Sequence, residues 1–99
     1  MQILWVAKSY TMPGAGVMAH SHPYYHMFYL HTGNAKFVVN GKTYALSAGQ
    51  TLIVPKDAEH SYSNQEKDTM EYLEVKFTLT QPIFENICIS DDPLAYALR

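Results

Sequence analysis

Gly, Pro and Asn punctuate this chain so often that mostly short extended segments fit between them. Ile3 to Tyr10 reads as a first strand, followed by the turn Met12-Pro13-Gly14-Ala15-Gly16. Val17 to His22 is a short strand broken by Pro23, and Tyr25 to His31 is a strong one ended by Thr32-Gly33-Asn34. Lys36 to Val39 and Thr43 to Leu46 flank Asn40-Gly41-Lys42. Asn-Gly between two such runs is a strong hairpin signal. Thr51 to Val54 follows the turn at Ser47-Ala48-Gly49-Gln50 and stops at Pro55. His60-Ser61-Tyr62 opens another strand, cut short by the polar stretch 64–68. Met70 to Thr80 is the longest candidate, with Leu73, Val75, Phe77 and Leu79 on one face and Glu74 and Lys76 on the other. That alternation predicts a half-buried antiparallel strand. About seven or eight short strands in so few residues predict an all-β sandwich or small barrel. Alternate side chains then point inward, and the mouth suits a ligand or metal.

The tail reads differently. Asp91-Asp92-Pro93 resembles a helix start, which predicts a short C-terminal helix over 93–99. So short a helix is marginal by itself, so it either docks on the barrel or continues in a longer protein.

A chain of 99 residues is expected to form one domain, 1–99, with a modest core. Charged residues make up only 16% and the net charge is -2, which argues against nucleic-acid contact by this domain itself. Cys88 is the sole cysteine, so no internal disulfide forms; its expected role is a small, partly buried hydrophobe. No apolar run approaches the ~18–20 residues of a membrane span. Met1 to Val6 lacks the charge and cleavage pattern of a signal peptide. The expectation is a soluble cytoplasmic protein that does not enter a membrane.

Chemistry concentrates in the histidines. His20 and His22 form an H-x-H pair, His26 follows four residues later, and His60 comes from a different hairpin. Residues 20 and 22 share one face of a strand because side chains alternate. Neutral imidazole is the commonest side-chain metal ligand near neutral pH. Several buried imidazoles with no metal would each need a hydrogen-bond partner, and protonating them together would be repulsive. His20, His22, His26 and His60 are therefore the candidate ligands of one metal. Two other roles compete: contact with an organic ligand, and, for His26, a supporting hydrogen bond to a ligand. His31 is expected at the surface, Glu59 as a solvated carboxylate, and Met18 and Met27 as gap fillers. Phe28, Tyr62 and Phe77 are candidates to line a ligand pocket, although core packing explains them about as well.

The spacing Gly14-x5-His20-x-His22-x3-His26-x6-Gly33, and later Gly49-x5-Pro55-x-Asp57-x2-His60-x3-Asn64, resembles the two motifs of the cupin superfamily. The resemblance covers residues 14–33 and 49–64. It implies a cupin barrel, that is, a jelly roll or double-stranded β-helix, binding a divalent transition metal. Two positions depart: His26 stands where the family usually has Glu, and Asp57 where it has Gly. Asp tolerates left-handed backbone angles, so the turn is expected to survive. Loss of the carboxylate leaves a softer donor set, suited to Zn, Ni, Fe, Cu or Mn rather than Mg or Ca.

The stretch from Tyr25 to Gly33, the Asn40-Gly41 hairpin, Tyr44 to Leu46, Gly49 to Pro55 and His60 also resemble the N-terminal sensor domain of AraC-type transcription regulators. That resemblance implies a domain that binds a small-molecule effector, forms a homodimer and serves transcription regulation, with no catalysis of its own. The alternative is a stand-alone metal-dependent enzyme of dioxygenase or isomerase type, whose partner is a substrate. A metal-carrying storage or scaffold barrel is a third reading.

Overall fold

The computed structural model describes residues 1–80 and 88–90. Its strands are β1 Gln2–Thr11, β2 Gly16–His20, β3 Tyr25–Thr32, β4 Asn34–Val39, β5 Lys42–Ser47, β6 Thr51–Val54, β7 His60–Asn64, β8 Met70–Thr78 and β9 Cys88–Ser90. They form a five-stranded sheet in the order β1-β8-β3-β6-β9 and a four-stranded sheet in the order β2-β7-β4-β5. Every neighbouring pair is antiparallel. The all-β sandwich expected from the turn spacing, and the jelly roll that the cupin resemblance implies, is what the chain forms. No helix among the described residues is long and apolar enough to cross a membrane. The helix expected over 93–99 and the side chain of Cys88 lie outside the described residues.

The core lies between the sheets. Phe28, Leu30, Leu52, Val54, Met70 and Tyr72 come from the five-stranded sheet and meet Phe37, Val39, Leu46 and Tyr62 from the other. A second cluster, Tyr25, Ile53 and Phe77 with Met27, Val75 and Leu79, has the opposite parity on β3, β6 and β8. The central strands β3, β6 and β8 are thus apolar on both faces. The alternation expected in β8 is present, but its inward face carries Met70, Tyr72 and Glu74. Turning a carboxylate inward is tolerated only because it finds partners there.

Three local devices position the later site. The Asn40-Gly41 turn has φ of 48° and 82°, as a tight two-residue hairpin requires. Asn40 also exchanges hydrogen bonds with Glu59, donating N–H to its carbonyl at 2.8 Å and accepting its N–H at Oδ1 at 3.0 Å. That fixes the residue before His60. Gly16 lies so close to β7 that a Cβ would sit 2.4 Å from the Tyr62 carbonyl oxygen. Only glycine lets β2 approach this closely. Asn64 is fully buried; its Nδ2 donates to Thr11 O at 3.0 Å and Asp68 O at 2.8 Å, and its Oδ1 accepts from Glu66 N at 3.0 Å. It ties the end of β7 to the end of β1 and to the loop before β8.

Candidate metal centre

His20 ends β2 and His60 opens β7, and the two pair across the strands. β2 was expected to run to His22, but pairing stops at His20, and His22 lies in the connection to β3. There its backbone carbonyl accepts the Asp57 N–H at 2.8 Å. Asp57 has φ of 65°, so it adopts the left-handed turn that the family's Gly would supply. His26 is the second residue of β3, opposite Val54 on one side and Lys76 on the other.

His20, His22 and His60 converge: one ring nitrogen from each lies within 4.8 Å of the others. His20 and His22 are half-buried and His60 is buried, so the set faces outward from a closed floor. Backbone carbonyls set two of the tautomers. His60 Nδ1 donates to Ala58 O at 2.9 Å and His20 Nδ1 donates to Met18 O at 2.7 Å. Each ring is left with a bare lone pair on Nε2. The Nε2 of His60 is buried and has no hydrogen-bond partner among the described residues. Such an orphan costs free energy unless something occupies its lone pair. Burial pushes the His60 imidazolium down to about 4, helped by His20, His26 and His22 and opposed only by the Ala58 carbonyl. Burial, then His26, His20 and Lys76, also lower His22. His60 and His22 are thus held toward the neutral form, the one that ligates a metal. The donor set therefore fits a borderline transition-metal ion.

These shifts carry a pH signature for the metal-free protein. An unfolded chain protonates His60 near 6.5, whereas the folded chain resists until about 4. Between these values the unfolded state binds more protons, so stability falls as the pH drops. The loss from His60 is expected to reach at most about 3 kcal/mol. Urea midpoints of chelator-treated protein across that range should decline, and His60→Gln should flatten the slope. A midpoint indifferent to pH in both proteins would contradict the assignment.

His26 stands beside the trio. Its Nδ1 lies 3.4 Å from His22 Nε2 and its Nε2 lies 3.0 Å from Glu74 Oε1. Ser9 Oγ donates to Glu74 Oε2 at 2.6 Å. Burial would raise the Glu74 carboxyl, but the hydrogen bonds from His26 and Ser9 outweigh it and hold it below its usual range. For His26 burial wins over Glu74 and lowers the imidazolium. The pair is thus a neutral imidazole donating to a carboxylate. The alternation in β8 set Glu74 on the face away from Leu73 and Val75, and that face, shared with Tyr72, is the inward one.

Phe28 floors the site, stacked on His26 at 3.9 Å between ring centres and fully buried. Tyr62 packs on Phe28 at 5.2 Å and is also buried, while Phe77 stacks on Tyr25 in the second cluster. Of the three residues expected to line a pocket, only Phe28 and Tyr62 lie on the histidine side. At the rim, Tyr24 stacks on His22 at 4.4 Å, and Lys76 Nζ sits 4.3 Å above the Trp5 ring and 5.8 Å from Tyr24. None of these rim residues carries a motif, so only the fold reveals them. His31 and Glu59 are exposed, as expected.

The sequence pattern of the cupin domain family matches residues 9–76. The chain is 34% identical over 93 residues to "Polyketide synthase CurC" of Streptomyces cyaneus, covering 87% of this chain and 60% of that protein. It therefore spans about 60% of the length of the curated relative it matches. A predicted oxalate decarboxylase from Thermotoga maritima superposes with a TM-score of 0.74 at 26% identity, over 79% of this chain and 69% of that one. The bacterial pirin from Escherichia coli, solved in complex with nickel(II), gives a TM-score of 0.82 over 92% of this chain and 42% of its own. At 14% identity that likeness is one of fold alone.

Proposed function

The chain belongs to the cupin domain family, and on that premise we propose that it holds one divalent transition metal on His20, His22 and His60 and uses it to bind an oxygen-donor small molecule. The observation that carries this reading is the buried, unpartnered Nε2 of His60 beside two further imidazoles. The relative's printed name, a polyketide synthase, favours a small molecule of the polyketide class, for which a β-diketone is a simple oxygen-donor model. A bound divalent ion would supply Lewis acidity at a carbonyl oxygen. The chain's own groups do the rest. Phe28 and Tyr62 close the floor against water. Tyr24 and Trp5 offer flat aromatic surface at the rim, and Lys76 offers a cation for an enolate or carboxylate oxygen.

Protein loaded in turn with Zn, Ni, Fe, Cu and Mn should retain about one ion per chain by elemental analysis. A simple β-diketone should then perturb its ultraviolet absorption only when metal is present. Saturable binding that is equal with and without metal would sink the proposal. The sensor of an AraC-type regulator is a second reading of the same pocket. It is favoured if the loaded protein binds such compounds tightly and returns them unchanged.

A further inference from the structure

Where the family places a glutamate, this chain has His26, yet a carboxylate still stands within one hydrogen bond of that position. It comes from another strand. Glu74 is on β8, and the register places it opposite Phe28, two residues along β3 from His26 and on the same face. Both side chains point into the space between the sheets. Glu74 is 7% exposed and His26 3% exposed. The 3.0 Å contact from Oε1 to Nε2 is therefore shielded from water.

An ionised carboxylate only accepts, so the shared proton belongs to His26 Nε2. A neutral imidazole carries one proton, and its Nδ1 must then be a bare lone pair. That lone pair faces one member of the trio: Nδ1 lies 3.4 Å from Nε2 of His22, which donates to it in the metal-free protein. Two nitrogens bonded to one tetrahedral ion at about 2.05 Å stand about 3.3 Å apart. The His22–His26 separation matches that spacing, while the nitrogens of the trio lie within 4.8 Å of one another and would close further on an ion. Phe28, stacked on the other ring face, stops the imidazole from rotating. Ser9 restrains the carboxylate from the far side, donating to the oxygen that His26 does not use.

We propose that Glu74 is a positioning residue that locks His26 with Nδ1 toward the trio, so that His26 joins His20, His22 and His60 as a fourth, Nδ1-bound ligand. The missing negative charge of the ligand set is thereby moved behind an imidazole rather than removed. A carboxylate behind a ligating histidine fixes ring orientation and raises ligand basicity. The inference rests on the metal centre proposed above and adds to it a residue from β8 and a choice of ring nitrogen.

The test uses the full chain and cobalt(II) as probe. X-ray absorption of the loaded wild-type protein should fit four imidazole donors. Glu74→Leu should weaken cobalt binding about 10- to 100-fold and reduce the imidazole count to three. Glu74→Gln keeps an oxygen that accepts from Nε2–H, so it should regain the fourth imidazole and most of the affinity. Should Glu74→Leu disrupt folding, nitrogen-15 spectra of metal-free wild-type protein decide instead, since His26 must carry its proton on Nε2. A proton on Nδ1, or a Glu74→Leu protein with unchanged affinity and four imidazoles, overturns the role of Glu74 and leaves the trio standing. A Gln variant as impaired as the Leu variant would overturn orientation as the cause. Wild-type protein that takes no cobalt at all removes the centre itself, and this inference with it.

Discussion

Alanine at both His20 and His22 is expected to abolish stoichiometric metal binding while the protein stays folded. Chelation is what would make the site: three imidazoles with ring nitrogens within 4.8 Å can act together on one ion. Removing two leaves His60 and the neighbouring His26, a pair that cannot close a site alone. Bound metal at micromolar protein should fall from about one equivalent to below roughly one-tenth. The fold has little to lose, because both side chains are half-buried and neither belongs to the main core. The hydrogen bond from His20 to Met18 O is exposed. A stability change within about 1 kcal/mol is expected for the metal-free protein. Elemental analysis and thermal melts in chelator check the two halves separately. Unchanged metal content in the double variant would reject the centre.

Phe28→Ala is expected to have the opposite profile, with a large loss of stability. The ring is fully buried and lies 4.9 Å from Phe37, 5.2 Å from Tyr62 and 6.2 Å from Tyr72, centre to centre. Truncating a buried phenylalanine costs about 3–5 kcal/mol, through lost transfer energy and the cavity left behind. A domain of this size is stable by only about 5–15 kcal/mol, so this loss removes from about a fifth to all of its stability. Phe28→Leu fills more of the space and should recover over half of the loss. The urea midpoint of metal-free protein measures both. Equal midpoints for wild type and alanine variant would mean that Phe28 does not anchor the two sheets.

The histidine spacing, set beside the cupin motifs, pointed to His20, His22, His26 and His60, and the fold brings three of them together. The Asn40-Gly41 turn fixes the β4–β5 register, and β4 in turn pairs with β7, which starts at His60. Glu74 was not legible. Alternation shows that Glu74 and Leu73 face opposite ways, but it does not show which face is inward when both are covered. Only the pairing of β8 with β3, forty-odd residues away in sequence, decides that. Phe77 escaped for the same reason and lies in the second cluster, away from Phe28. Pro23 suggested a strand running to His22, yet the pairing of β2 with β7 ends at His20 and frees His22 to be held by Asp57. Tyr24, Trp5 and Lys76 gather at the rim from three separate segments, which no local pattern encodes.

His20 and His60 belong to one layer of the sandwich, whereas His26 and Glu74 belong to the other. An ion held by His20, His60 and His26 together, as proposed above, would act as a rivet through the open end of the molecule. The two layers could not then gape there without first letting go of it. The speed at which a strong chelator strips the loaded protein would then clock how often the layers part, and slower stripping would mark a tighter sandwich.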